Sequence, residues 1–255
     1  SSEDAIIVEN MTISYDDQII QQDLNFTVKH NDIFIIMGNS GSGKSTLMRA
    51  MTGLDRPSSG DVYYRCKHEH NAYWQAEKNI QLKMMEQFGV MFQNGALFSS
   101  MSLLDNVSLR LTQSTRYSSA RIRKIAAYKL ALVGLKGFEH YLPAEISGGM
   151  RKRVAIARAM AMDPPILFFD EPSAGLDPVS SRLLDDLLLE LRDSMGITMV
   201  LVTHELDSIF SIANDAVFLD HETKTIIARG DPKAMIQDGV DEQVQLFLKR
   251  GSPSL

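Results

Sequence analysis

The sequence is poor in the features that mark secreted, membrane-spanning and nucleic-acid-binding proteins. Its 255 residues include one cysteine, Cys66, so no internal disulfide can form and the framework of a small secreted domain is excluded. No apolar run approaches the roughly 18 residues of a membrane-spanning helix. The opening Ser1-Ser2-Glu3-Asp4 lacks the basic and apolar stretches of a signal peptide, so the cytoplasm is the expected compartment. Positive charge is not in excess: 26 Lys and Arg stand against 32 Asp and Glu, a net charge of -6. A global basic field that would draw in nucleic acid or an anionic membrane is therefore missing, and membrane association would have to come through a partner. No repeat or Pro/Ser-rich linker divides the chain.

What is present is an ordinary globular composition, 44% hydrophobic and 23% charged, long enough for one or two domains. Early segments read as strands: Ala5 to Val8, Met11 to Tyr15 and Leu24 to Val28, with turn residues Asp16-Asp17 between the last two. Alternation in Leu24-Asn25-Phe26-Thr27-Val28 predicts a half-exposed antiparallel sheet. Ile33 to Met37, Phe88 to Phe92, Ile166 to Phe169, Ile197 to Val202 and Ala216 to Leu219 are apolar throughout, as strands covered on both faces are. Helical periodicity occupies Ser45 to Met51, Arg121 to Leu132, Gly149 to Met162 and Ser180 to Arg192, with Gly53 and Gly134 as stops for the first two. Strands alternating with helices predict a three-layer α/β core, and Leu103 to Arg158 reads as an almost wholly helical insertion.

Directly after the first buried strand comes Gly38-Asn39-Ser40-Gly41-Ser42-Gly43-Lys44-Ser45-Thr46, which contains the pattern G-x-x-x-x-G-K-[ST]. A phosphate chain needs several converging donors. Glycines let backbone N–H groups approach it, and the helix that follows adds the positive end of its dipole. Lys44 would reach the β- and γ-phosphates, and the Ser45 hydroxyl would ligate Mg²⁺. The bland alternative is a flexible Gly/Ser loop. Ile166-Leu167-Phe168-Phe169-Asp170-Glu171 offers the second half of such a site: Asp170 to hold Mg²⁺, commonly through water, and Glu171 to take a proton from the attacking water. By itself the carboxylate pair could equally cap a helix.

Between these halves lies Glu145-Ile146-Ser147-Gly148-Gly149-Met150-Arg151-Lys152-Arg153, a second helix opening suited to an anion. One γ-phosphate needs only one such cradle, so the second makes sense for a nucleotide held by another copy. Here the sequence resembles the ATP-binding-cassette (ABC) ATPases, whose signature L-S-G-G-Q corresponds to Ile146 to Met150. The resemblance covers nearly the whole chain. It implies that Gln93 contacts the metal and couples to a membrane subunit, that Ser173-Ala174-Gly175-Leu176-Asp177 crosses a dimer interface, that His204 contacts the γ-phosphate and that Tyr15 stacks on adenine. It further implies one ABC nucleotide-binding domain over residues 1–255. Its fold would be a P-loop NTPase (RecA-like) core with an N-terminal antiparallel β subdomain and a helical subdomain inserted at about 95–158. Its activity would be ATP hydrolysis with ATP and Mg²⁺, in a homodimer on integral permease subunits at the cytoplasmic face of the inner membrane.

Met91-Phe92-Gln93-Asn94-Gly95-Ala96-Leu97-Phe98, Leu104-Asp105-Asn106-Val107, Met150 in the signature and the tail Val244 to Leu248 are similar to the cassettes of Mla/Mce-type lipid transporters. That similarity implies phospholipid cargo, moved between bacterial envelope membranes with a lipid-binding partner protein and no nucleic acid. Lipoprotein or small-solute transport, and a non-transport ABC ATPase, are the alternatives. Leu97, Phe98 and Leu104 would form the apolar face that docks a helix of the permease. Asp61 to Gln81 departs from the usual family hairpin. Cys66, His68 and His70 alternate there as zinc ligands could, though an exposed hairpin fits the polar stretch better.

Overall fold

The computed structural model describes residues 4–66, 69–93, 95–237 and 241–250. Two sheets organise it. The first has strand order β2-β1-β4-β5, with β1 at Asp4–Tyr15, β2 at Gln18–Lys29, β4 at Ser59–Cys66 and β5 at Glu69–Ala72, all antiparallel. The second has order β10-β9-β3-β8-β7-β6, built from β3 (Ile33–Gly38), β6 (Phe88–Met91), β7 (Ile166–Asp170), β8 (Thr198–Val202), β9 (Asp215–Leu219) and β10 (Ile226–Gly230). It is parallel except for the β9–β10 edge.

The apolar strands lie where their composition requires, between two hydrophobic layers. Along β3, Ile33, Ile35 and Met37 join one core, while Phe34 and Ile36 join the other. β7 divides in the same way, with Leu167 and Phe169 on one side and Ile166 and Phe168 on the other. This two-residue alternation inside a wholly apolar run is the geometry of a strand covered on both faces. Helix α1 (Lys44–Met51) and the antiparallel sheet cover one face. The opposite core receives α3 (Leu103–Ser114), α4 (Ser119–Leu132), α5 (Gly148–Ala159) and α6 (Pro178–Met195). Shorter helices are α2 (Lys78–Met85), α7 (Leu206–Ile212), α8 (Pro232–Gln237) and α9 (Glu242–Lys249).

Local chemistry starts the helices where they start. Ser102, Ser118 and Ser147 cap α3, α4 and α5 by accepting from the amides of Asp105, Arg121 and Met150. Asp177 accepts from the amides of Val179 and Ser180, with Pro178 as the first residue of α6. Each cap contributes about 1 kcal/mol. Gly53 and Gly134 end α1 and α4 as anticipated, both with positive φ.

Several expectations change. The first two predicted strands are one twelve-residue strand, kinked where its register shifts between Val8 and Met11 and Asn10 adopts φ 48°. The hairpin expected within Asp61 to Gln81 is there as β4–β5, followed by α2, but it is not an exposed one, since Val62 and Tyr64 are buried in the core. Lys67 and His68 lie outside the described residues, as do the side chains of Cys66 and His70, and among the described residues no three His, Cys, Asp or Glu side chains gather as a metal site. Leu104 is 5% exposed and belongs to the core, so it cannot contribute to a docking face; Phe98, 52% exposed, can.

Asp185 of α6 lies in that core, 6% exposed, and accepts from Ser208 Oγ at 2.8 Å. Burial pushes its carboxyl up to about 6, and the neighbouring Asp186 and Asp207 add to the shift. A folded-state value above the ordinary one favours folding at low pH, and that advantage is lost as pH rises through about 6. The gap amounts to about 3 kcal/mol against the ionised form. Asp185→Asn is expected to raise the urea midpoint at pH 7.5 and to leave it nearly unchanged at pH 4, because the amide carbonyl still accepts from Ser208. Paired urea titrations at the two pH values check this.

Candidate functional site

The phosphate loop is held from three directions. β3 delivers Gly38, with φ 156°, where a Cβ would lie 2.5 Å from the Leu219 carbonyl oxygen and 2.6 Å from Ser42 Oγ. No other residue fits without displacing backbone. Gln21 of β2, fully buried, donates through Nε2 to the Ser42 carbonyl at 2.7 Å and to the Asp220 carbonyl at 2.9 Å, which ties the loop to both sheets. On the loop itself Lys44 Nζ donates to the carbonyls of Gly38 (2.9 Å) and Asn39 (3.0 Å). Burial pushes the Lys44 ammonium down, while Glu171 and Asp170 pull it back up.

Strand β7 brings the carboxylates to this loop. Ser45 Oγ donates to Asp170 Oδ1 at 3.1 Å. Burial raises the Asp170 carboxyl above its usual range, opposed first by the Ser45 hydrogen bond and then by Lys44, Arg49 and Lys152. A hydroxyl beside a carboxylate is a hard oxygen pair of the kind Mg²⁺ takes, with water and phosphate oxygens filling the remaining positions. Glu171 is 8% exposed and sits at φ 49°, an uncommon backbone state for a residue with a side chain. Its Oε1 lies 2.8 Å from His204 Nδ1, while Oε2 is buried without a hydrogen-bond partner.

A cleft of about 440 Å³ is lined by Gly38, Asn39, Ser40, Gly41, Lys44, Ser45 and His204, so seven of the anticipated residues converge. Phe247 and Arg250 from the C-terminal helix share this lining, a placement that no motif signalled. Ser42 is buried beneath the loop, and Gly43 and Thr46 flank Lys44 and Ser45 at the start of α1. Tyr15 presents an exposed ring at the end of β1, its hydroxyl fixed by Asp55 Oδ2 at 3.0 Å, with Arg49 on the same carboxylate.

The remaining anticipated residues lie elsewhere. Ser147 and Gly149 line a smaller hollow with Gly134, Phe138 and Ser180. Gln93 lines a separate cleft of about 530 Å³ with Leu97, Gly148, Lys152 and Gly175. Gly148 and Gly149 have no steric need to be glycine within this chain, since a Cβ at either would meet neighbours only at 3.6 Å or beyond. Beside Gln93, buried Asn106 exchanges hydrogen bonds with both the N–H and the carbonyl of Phe98 and also donates to Met101 and Ser102. This knot holds the exposed Phe98 in place, and Asn94 lies outside the described residues.

Comparison with known proteins agrees with this geometry. Residues 21–174 match the ABC transporter family model. Over 252 residues the chain is 34% identical to the intermembrane phospholipid transport system ATP-binding protein MlaF of Haemophilus influenzae, covering 97% of this chain and 91% of that protein. It is 36% identical over 228 residues to the methionine import ATP-binding protein MetN of Lactobacillus johnsonii, covering 89% of this chain but 64% of the relative. A probable ribonucleotide transport ATP-binding protein, mkl of Mycobacterium tuberculosis, is 37% identical over 203 residues, or 55% of its length. Among solved structures, cbiO1 from Clostridium perfringens, described as part of the ABC transporter complex cbiONQ, aligns with TM-score 0.82 and 28% identity over 92% of both chains. The cassette MJ0796, a dimer bound to ADP and Pi, aligns with TM-score 0.76 and 29% identity over 89% of this chain and 98% of that one. With the phosphate loop, the carboxylate pair and the fold all in agreement, the chain belongs to the ABC transporter family, as an ATP-hydrolysing ATP-binding subunit.

Proposed function

We propose that this ATPase drives the transfer of phospholipid between membranes of a bacterial envelope, as a homodimer docked on an integral permease with a lipid-binding partner. The observation that carries the cargo is the extent of one match. The phospholipid-transport relative corresponds to this chain over 91% of its own length, whereas the methionine and ribonucleotide relatives correspond over 64% and 55% of theirs. The shared part of the latter two is thus only a portion of those proteins. Nothing in the phosphate cleft touches cargo, so the ATPase chemistry itself is neutral on the point.

In this reading Gly38 to Thr46 cradle the phosphates, with Lys44 on the β- and γ-oxygens. Ser45, Asp170 and the side chain of Gln93 would hold Mg²⁺, and the ion would neutralise charge on the transferring phosphoryl group. Glu171 takes the proton of the attacking water, and His204, in contact with Glu171, orients that carboxylate and meets the γ-phosphate. Tyr15 stacks on the base. Ser147, Gly148 and Gly149 serve the nucleotide of the partner subunit. Two observations support that assignment: Ser147 and Gly149 line a hollow other than the phosphate cleft, and a Cβ at Gly148 or Gly149 would meet no neighbour closer than 3.6 Å among the described residues. The permease docks beside Phe98, and among the described residues no helix is long and apolar enough to cross a membrane.

Extracting a lipid exposes CH₂ groups at about 0.8 kcal/mol each, which calls for a driven step and a shielded apolar path in the partners. The test is to purify the intact complex through this chain in mild detergent and identify bound lipid by mass spectrometry. Its ATPase is then measured with added phospholipid and with methionine. Phospholipid retained by the complex and stimulating its turnover is the expected result. A lipid-free complex that responds to methionine instead sinks the cargo and supports small-solute transport.

A further inference from the structure

The Gln93 loop is held by cations from a single helix. Lys152 Nζ donates to the main-chain carbonyl of Gln93 at 2.5 Å. Six residues on, Arg158 donates through Nη2 to the Gly95 carbonyl at 2.6 Å and through Nη1 to the Ala96 carbonyl at 2.8 Å. Between them on the same face of α5, buried Ala155 lies under Gly95, where an added Cβ would come within 3.6 Å of the Ala155 Cβ. Lys152, Ala155 and Arg158 are spaced three apart and form one stripe along the helix.

Holding the loop in this way has an energetic cost. Gly95 and Ala96 both have positive φ, 62° and 37°, a conformation that is unfavourable for alanine. Burial pushes both the Lys152 ammonium and the Arg158 guanidinium down, so each cation is partly desolvated to reach a carbonyl. Hydrogen bonds from charged donors, stronger than those between neutral groups, offset these costs. The stripe belongs to the same twelve-residue helix that Ser147 caps, so its first turn carries Gly148 and Gly149 and its second begins at Lys152. Lys152 also lies within electrostatic reach of Asp170 and Glu171, both of which pull its ammonium up against burial.

We propose that Lys152 and Arg158 are positioning residues that fasten the Gln93 loop to the signature helix, so that the loop and the Ser147 end move as one piece and Gln93 is presented correctly for hydrolysis. The inference rests on the catalytic reading above. A rod about 18 Å long, gripping the metal-contacting loop at its side and offering its end to the partner's nucleotide, joins the two sites mechanically. Lys152 is the more informative member, because it touches the Gln93 carbonyl and faces the carboxylate pair.

The experiment uses the full chain, with ATP turnover, ATP affinity and melting midpoint measured for Lys152→Met, Lys152→Arg and Arg158→Lys. Lys152→Met keeps length and removes the donor. It is expected to lower kcat about tenfold, with KM for ATP within about twofold of wild type. Lys152→Arg is expected to restore most of the loss. Arg158→Lys keeps charge but loses the two-pronged contact, and a fall in kcat at constant KM is expected there too, which also covers the case in which Lys152→Met does not fold. Wild-type kcat in a folded Lys152→Met protein overturns the proposal. So does a loss of ATP affinity that matches the loss of kcat, or a defect that Lys152→Arg fails to rescue. A Glu171→Gln control separates the readings: if it still turns over, the catalytic assignment is wrong, and if it is dead while Lys152→Met is normal, only the present inference fails.

Discussion

Replacing Glu171 by Gln is expected to abolish ATP turnover while leaving ATP binding intact. The substitution preserves volume at a buried position, and the amide can still meet His204 Nδ1, to which Glu171 Oε1 is held at 2.8 Å. What it removes is the ability to accept a proton, a contribution of about 10²–10⁴ in rate for a well-placed base. The elements that would hold phosphate are untouched: Gly38 to Gly41 in the cleft, Lys44 with its two carbonyl contacts, and Ser45 on Asp170. ATP then stays bound, and mass action favours whichever assembly binds it best, which in this reading is the closed dimer. The measurements are steady-state phosphate release and size-exclusion chromatography with and without ATP. Turnover should fall at least about 100-fold, with a dimer peak appearing only with ATP. Turnover within about tenfold of wild type would remove Glu171 from the role of base. Lys44→Ala provides the contrast, since it takes away the residue assigned in this reading to the phosphates and should weaken binding itself.

The parts of this site that were legible in the sequence are those in which chemistry and chain order coincide. Gly38 to Ser45 is contiguous, and each residue type has one local reason to be there. Asp170 and Glu171 come at the end of a short apolar run that reads as a strand covered on both faces, and β7, which Asp170 closes, is such a strand. The supports were not legible, because they reach the site across long separations. Gln21 meets Ser42 and Asp220 from the part of β2 that precedes the alternating Leu24 to Val28, where no strand is expected from the sequence. Lys152 meets Gln93 across 59 residues, and Phe247 with Arg250 arrive at the cleft from the C-terminal helix. Leu104 shows the converse limit. Its place in an apolar cluster beside Gln93 is evident, but periodicity does not tell which face of α3 is covered, and the structure buries it. Asn106, in the same run, owes its presence to four hydrogen bonds around Phe98 that no local pattern announces.

Mixing two separately inactive subunits is expected to restore turnover. Lys44→Ala disables a phosphate cradle, and Ser147→Arg places a bulky cation where the signature end would approach a neighbour's nucleotide. Ser147 is exposed, so the arginine clashes with no core, and the loss of its cap on Met150 costs about 1 kcal/mol. Each homodimer carries one lesion in both composite sites and should be inactive. In the heterodimer, one site unites the two lesions. The other pairs the intact Lys44 of one subunit with the intact Ser147 of its partner. With random exchange between two-fold symmetric dimers, half the assemblies are mixed and each holds one good site, so recovery approaches about one quarter of wild-type activity if sites act independently. A site built wholly within one chain predicts no recovery at any ratio, because every subunit is then defective by itself. Turnover is followed against mixing ratio at constant total protein, with heterodimer formation verified by differential tags. Mixed dimers that form and remain inactive would argue against shared sites; a maximum near equal ratio would place Ser147 opposite the partner's Lys44, as the separation of their clefts within one chain leads one to expect.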